Sequence, residues 1–296
     1  MNGPNPEKLR SAGLVDFCGP EGSGRRLERF AGLLVDRPAP HASGPRRLPD
    51  LWPNSIATFV VDDAGAGTWR FSRPPPAPWR EEIDVGPSVI SLEIRPAPSG
   101  QVGIFLEQVE QWRWLAARAP RGGTVLSLFG HSGAASLALA AGGAEVVHVD
   151  ASRQALSLAR RNAEASGLGH LPVRWVCEDA ATFVARQSRR GARFAGAVLD
   201  PPSWGHGPRG QAFAIDRDLE PLVAAVARLL EPPAGPVLLT CHAPRWRHDR
   251  LAATLVGSLR SAGLAGGAAD SGPLTCTDES GRHLRLGDFA RWIPAP

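Results

Sequence analysis

The rhythm of apolar positions changes near residue 105. Before it, short runs of alternating or β-branched residues (SIATFVVDD, TWRFSR, SVISLEIRP and QVGIFLE) predict strands. Pro- and Gly-rich stretches such as RPAPHASGP and SRPPPAPW separate them, so residues 1–105 are expected to form a small antiparallel β unit. Pro74–Pro76 reads as a rigid loop. From Glu107 the spacing lengthens. EQVEQWRWLAARA predicts a helix, TVLSLF a strand and SGAASLALAAGG a small-residue helix. AEVVHVD is followed by ASRQALSLARRNAEASG, whose Leu156, Ala159 and Ala163 share a helical face. PVRWVCED, AATFVARQSRRG and ARFAGAVLD read as strand, helix and strand, and PPSWGHGPRGQ as a loop. In DLEPLVAAVARLLE, Leu219, Leu222, Val223, Val226, Leu229 and Leu230 make a 3.6-residue stripe. PVLLTC is a fifth strand, and Leu251, Leu255 and Leu259 align along a further helix. The last segment reads as a hairpin around Asp278–Gly281. Alternating strands and helices over residues 106–296 predict an α/β fold with a largely parallel sheet.

Composition narrows the class. The chain has 296 residues, 43% hydrophobic and 21% charged, which suits one large or two modest globular domains. No apolar run approaches the roughly 20 residues of a membrane span. MNGPNPEKLR has no apolar stretch of the kind a secretory signal carries, so a cytoplasmic location is expected. The four cysteines, Cys18, Cys177, Cys241 and Cys276, are far apart, which argues against a metal site or a disulfide scaffold. The net charge is +4. Residues 1–105 balance at 12 basic and 12 acidic groups, so the excess lies in the remainder, where it would favour a nucleic-acid partner. Of the 33 basic residues only Lys8 is a lysine, and coding bias explains the arginine excess equally well.

In such folds ligands bind at the carboxyl ends of the strands, near the point where strand order reverses. After the first strand comes Phe129-Gly130-His131-Ser132-Gly133. Its glycines permit either a packing turn or close approach of an anionic group to the next helix N-terminus. After the second comes Asp150, placed either to accept from ribose hydroxyls or to cap the next helix, a task Ser152 can also perform. Glu178-Asp179 follow the third strand, and here a helix cap and an acceptor for an adenine amine are equally open. The sharpest feature is Asp200-Pro201-Pro202-Ser203-Trp204 after the fourth strand. Two prolines fix the backbone and remove two N–H donors, leaving an acceptor-lined corner beside an aromatic ring.

Taken in order, VLSLFGHSGAASLALAAGGAEVVHVDASRQALSLARRNAEASGL, WVCEDAATFV, AGAVLDPPSW and VLLT resemble the class I S-adenosylmethionine-dependent methyltransferases. More narrowly they resemble the bacterial large-subunit ribosomal RNA methyltransferase group. RRLERFAGLLVDRPAPHA and VGIFLEQVEQWRWL are similar to a subgroup without the N-terminal PUA module. The resemblance implies a Rossmann-like seven-stranded sheet with helices on both faces, preceded by a small β-rich domain forming the substrate-side wall. It also implies S-adenosyl-L-methionine as cofactor. Phe129, Gly130, Ser132 and Gly133 would surround its methionine part, and Asp150 its ribose. Ala151, Ser152, Asp179 and Ala180 would lie at the adenine, and Gln108 near the amino-acid end. Asn162 matches a structural asparagine of the family, and Ser127 stands where many class I members carry an acid. Cytosine-C5 members use a cysteine just past the fifth strand. That position falls near Ala243 here, with Cys241 out of register.

The expected chemistry is direct in-line methyl transfer, with no metal, to a nucleophile that the resemblance makes a base in RNA. Orientation would supply most of the acceleration. Asp200, Pro201 and Pro202 would sit between donor and acceptor, with Ser203, Trp204, His206, Arg209 and Arg217 on the substrate side. A base in a duplex would have to flip out to reach them. Two other readings are a nicotinamide-dependent oxidoreductase, which Gly130, Gly133 and Asp150 fit loosely, and a non-catalytic RNA-binding relative. Oligomeric state is not legible.

Overall fold

Strand residues that alternate between two apolar faces need a layer of helices on each side, and the second part of the chain folds in that way. The structure is a computed structural model describing residues 12–20, 24–62, 64–206, 212–232, 234–264 and 266–294. Residues 1–11, which include the MNGPNPEKLR segment read above for a signal, and Arg209 lie outside the described residues. Contacts divide the chain into two units. One comprises Met1–Ile83, Ser91–Gln108 and Thr275–Leu286, the other Asp84–Ile90, Val109–Leu274 and Gly287–Pro296. The division is thus not a single cut near residue 105.

The first unit holds a five-stranded sheet in the order β1 (Gly13–Cys18), β2 (Arg25–Phe30), β3 (Leu33–Pro38), β4 (Ala57–Val61) and β5 (Gly67–Phe71). Pairing is antiparallel except between β3 and β4, where it is parallel. A second ribbon pairs β6 (Arg80–Asp84) with β7 (Val89–Glu93). Strands β1 to β3 were not legible in the sequence. QVGIFLE, expected as a strand, lies outside the named strands and ends in a 3-10 turn over Leu106–Gln108. Its Val102 and Ile104 are apolar because they are buried. Asp16, buried in β1, accepts hydrogen bonds from Trp52 Nε1 at 2.8 Å, Leu48 N at 3.0 Å and Arg282 Nη2 at 2.6 Å. Glu28, fully buried in β2, accepts from Arg37 Nε at 2.5 Å and lies 3.5 Å from Arg26 Nε.

The second unit is built on β8 (Thr124–Leu128), β9 (Glu145–Asp150), β10 (Val173–Cys177), β11 (Gly196–Leu199), β14 (Val237–Cys241), β15 (Gly267–Thr277) and β16 (His283–Pro294). Their order is β10-β9-β8-β11-β14-β16-β15. The first five run parallel and β16 antiparallel to β14. Between them lie α1 (Val109–Ala117), α2 (Ala134–Ala141), α3 (Arg153–Ala165), α4 (Ala180–Arg189), α5 (Ile215–Ala227) and α6 (His248–Ser261). Val125, Val146, Val198 and Leu238 pack with Leu115 of α1 and Leu139 of α2. Their neighbours Leu126, Val147, Leu199 and Leu239 pack with Phe183 of α4, Leu219 of α5 and Leu255 of α6. This is the Rossmann-like fold with helices on both faces that the motif order implies. The segment expected as a loop carries a small hairpin, β12 (Trp204–His206) with β13 (Ala212–Ala214). The C-terminal turn forms as expected, with Gly281 N donating to Asp278 O at 3.0 Å.

Candidate active site

Strand order reverses at β8, whose neighbours β9 and β11 are reached by crossovers in opposite directions. The carboxyl ends of β10, β9, β8 and β11 lie side by side: Cys177 pairs with Asp150, Leu128 with Val149, and Leu199 with Leu128. The predicted residues of Phe129–Gly133, Asp150–Ser152, Asp179–Ala180 and Asp200–Ser203 are therefore brought to one edge. Gln108 belongs to the first unit, where its Nε2 is buried without a hydrogen-bond partner among the described residues.

The loop after β8 is built tightly. Phe129 and His131 have φ of 57° and 44°, and Gly133 caps α2 at 85°. A Cβ on Gly130 would fall 2.2 Å from Cε1 of His148, so the backbone lies directly over that ring. His148 is buried and packs on Trp175. Its Nδ1 lies 2.9 Å from Ser136 Oγ, which donates to Ser127 Oγ at 3.0 Å. Burial, with the nearby His131 adding to it, lowers the His148 pKa to about 3, so the ring is neutral. Ser127 therefore anchors a neutral network where many class I members place an acid. Asn162 Nδ2, wholly buried, donates to Ser132 O at 2.9 Å.

The two open questions about the strand-end acids resolve differently. Ser152 caps α3 by accepting from Ala155 N at 3.2 Å, so Asp150 is not the cap. Asp150 instead holds the loops on either side of itself, accepting from His131 N at 2.9 Å and Ser152 N at 2.8 Å. Asp179 is the cap of α4. Its Oδ1 accepts from both N and Oγ1 of Thr182 at 2.8 Å, while no bond to Oδ2 forms among the described residues. Ala180 opens α4 and is buried, and the Ala151 carbonyl lies 3.7 Å from Cys177 Sγ.

At the end of β11, Asp200 Oδ1 accepts the Thr240 hydroxyl at 2.5 Å and lies 3.8 Å from His242 Nε2. Pro201 is buried, Pro202 and Ser203 are exposed, and the Ser203 carbonyl receives Ile215 N at 3.1 Å. Trp204 is 60% exposed beside this corner. His206 ends β12. Arg217, expected to face a substrate, is paired with Asp218 at 2.7 Å on the surface. Cys241 is buried and accepts from Ala243 N at 3.3 Å. Burial, reinforced by Asp200, Asp288 and Asp216, pushes its thiol up to about 12. Such a thiol supplies almost no thiolate at neutral pH. Thr240 and His242 went unnoticed in the sequence, although their place at the end of the fifth strand was the available signal. Among the described residues no group of three or more metal-ligating side chains is gathered, and no helix is long and apolar enough to cross a membrane.

No family model matches the chain. It is 34% identical over 141 residues to a ribosomal RNA large subunit methyltransferase I of Aeromonas hydrophila, covering 47% of this chain and 34% of that protein. It is 33% identical over 155 residues to a ribosomal RNA large subunit methyltransferase K/L of Methylococcus capsulatus, covering 51% of this chain and 20% of that one. The match therefore spans 34% and 20% of the lengths of these curated relatives. The likeness to the crystal structure of the S-adenosylmethionine-dependent methyltransferase from Agrobacterium tumefaciens extends much further. It covers 97% of this chain and 91% of that one, at 32% identity and a TM-score of 0.84. With glycine loop, strand-end acids and Asp200-Pro-Pro corner aligned along one sheet edge, and a solved relative matched over nearly its whole length, the chain belongs to the S-adenosylmethionine-dependent methyltransferases.

Proposed function

We propose that this protein methylates a nitrogen nucleophile on an unpaired or flipped-out base of RNA. The observation that carries this reading is the corner at Asp200: a carboxylate pinned by Thr240, followed by two prolines, beside a buried thiol whose pKa burial raises to about 12. A cytosine-C5 reaction through a covalent adduct needs a reactive thiol at this place. With the family's cysteine position falling near Ala243 by resemblance, and Cys241 buried, direct attack by the acceptor is the favoured chemistry. RNA as acceptor rests on the names of the two ribosomal RNA relatives. We infer a cytoplasmic site of action, in keeping with an RNA acceptor of this class.

The residues present fit the cofactor. Phe129, Gly130, Ser132 and Gly133 form a loop with N–H groups at the head of α2, where a side chain on Gly130 would collide with His148. We assign these residues to the methionine end and Asp150 to the ribose. Ala151, Ser152, Asp179 (through its free Oδ2) and Ala180 are assigned to the adenine. S-adenosylmethionine supplies an activated methyl group and needs no metal to do so. The protein's own part is to hold the acceptor in line, which is worth several powers of ten in rate. Asp200 and the proline carbonyls align it, and Trp204 offers a face for the base to stack on. Family membership leaves the nicotinamide reading without support.

Tritiated-methyl labelling of a cell extract, separated into RNA, protein and small-molecule fractions, tests the reading. Label in RNA that disappears with Asp200→Ala supports it, and label confined to another fraction refutes the acceptor. Calorimetry with S-adenosylhomocysteine and with NAD(H) checks the cofactor, and binding of NAD(H) alone would overturn it.

A further inference from the structure

The methyl-transfer reading leaves one proton unaccounted for. When a nitrogen that bears hydrogen attacks the methyl carbon, a C–N bond forms and the S–C bond breaks with its electron pair remaining on sulfur. The nitrogen then holds one proton too many. We infer that Thr240, Asp200 and His242 form the relay that removes it, with Thr240 fixing the carboxylate and His242 receiving the proton before it passes to water.

The geometry supports each part. Thr240 is buried at the end of β14, and its hydroxyl has a single proton to give. The 2.5 Å contact is with Asp200 Oδ1, against 3.4 Å to the Leu199 carbonyl. That bond locks the carboxylate in one orientation and occupies one oxygen. The other, Oδ2, accepts no bond among the described residues. His242, two residues along the same strand end, brings Nε2 to 3.8 Å from Oδ1. This is within ion-pair range and one small side-chain movement from a hydrogen bond. The His242 and Asp200 side chains are 30% and 33% exposed, but Nε2 itself is buried, so a proton received there reaches water only when the ring turns outward. Space for the ring is made by Gly287 on β16, where a Cβ would fall 2.9 Å from His242 Nδ1 and 2.7 Å from the Cys241 carbonyl. Charged and titratable groups that bear on this corner include His131, which feels both Asp150 and Asp200, and Cys241, which feels Asp200, Asp216 and Asp288. Of these, Cys241 is a neutral thiol at working pH and Asp288 is engaged by His248 N at 3.0 Å. Asp216 accepts from Trp246 Nε1 at 2.8 Å and Asp150 from His131 N and Ser152 N, so the two imidazoles, His242 and His131, are the groups the titration must tell apart.

The test has two arms. In the ligand-free protein, the His242 and His131 imidazoles are titrated by NMR in wild type and in Asp200→Asn. A carboxylate neighbour favours the charged ring, so its loss is expected to lower the His242 midpoint by several tenths of a pH unit or more. A His242 midpoint that does not move overturns the relay, whatever the acceptor is. In the second arm, methyl transfer to RNA purified from cells lacking this protein is followed against pH. Wild type is expected to lose kcat as pH falls through the His242 midpoint. His242→Gln is expected to lose that limb and about 10²-fold in kcat, the lower range for a positioned base. Thr240→Val should lower kcat with little change in KM, with Thr240→Ser restoring it. A His242→Gln enzyme that keeps the wild-type pH limb and kcat refutes the relay alone. A wild type that labels no RNA refutes the acceptor reading, and the titration then decides the relay by itself.

Discussion

Asn162 and Ser132 are joined by a buried hydrogen bond, amide Nδ2 to carbonyl oxygen at 2.9 Å, across thirty positions of sequence. The bond ties the middle of α3 to the loop that opens α2. Removing it leaves a buried carbonyl without its donor, which costs about 1–3 kcal/mol. Asn162→Ala is expected to lower the thermal midpoint and to weaken S-adenosylhomocysteine binding about tenfold or more, because the loop it anchors is the proposed cofactor cradle. Calorimetry on the folded variant separates the two effects. Unchanged affinity would show that the loop keeps its shape unaided.

Gly130 has no room for a side chain. A methyl group there meets the imidazole of His148, which cannot retreat because Ser136 and Trp175 hold it. Gly130→Ala should cost about 1–3 kcal/mol of stability, the usual penalty of overpacking. The double variant Gly130→Ala, His148→Ala removes the obstacle and should regain the alanine loop's fit. Chemical denaturation of the two singles and the double measures that coupling.

His148 should make the second unit sensitive to acid. Its folded pKa, lowered by burial to about 3, lies below the unfolded value near 6.5. Between those limits the unfolded chain binds the proton and the folded one does not. Stability therefore falls as pH drops from about 6.5 toward 3, by a few kcal/mol at most if burial stays complete. Thermal midpoints measured across that range should decline in wild type. The slope should flatten in His148→Asn, and equal slopes would remove this group from the account.

Glu28 predicts a second, lower acid transition in the first unit. Burial alone would raise its pKa, but Arg26 and Arg37 outweigh it and hold it below the usual carboxylate range. A depressed carboxylate stabilises the folded state above its unfolded pKa near 4.5 and loses that contribution as pH falls through the folded value. Glu28→Gln strands two buried arginines and should cost about 3–5 kcal/mol at neutral pH. Circular dichroism melting would show it, and a midpoint within a degree of wild type would contradict it.

The buried position of Glu28 also explains what the sequence concealed. RRLERF reads as charged surface, yet it is a central strand whose Arg26 and Glu28 turn inward to meet Arg37. A pattern rule that sends charges outward passes over such a strand. Val102 and Ile104 mislead in the opposite direction, being apolar through burial in a segment that forms no named strand. The second unit was legible because its helices carry plain stripes, such as Leu156, Ala159 and Ala163. Its acids were found from strand ends alone. Their tasks were not, since whether Asp150 or Ser152 caps a helix depends on angles that letters do not carry. Thr240 and His242 escaped because neither type stands out until Asp200 is seen beside them.

The last strand bears on modular exchange. β16 starts in the unit that holds Asp16 and finishes in the one that holds Asp200. Arg282, which ties down Asp16, comes from the turn just before it. Excising the N-terminal β region as a cassette would leave Asp16 without its guanidinium, and trimming the tail would deprive β14 of its antiparallel neighbour. Recombination between relatives of this shape should therefore succeed only when both ends of the chain travel together.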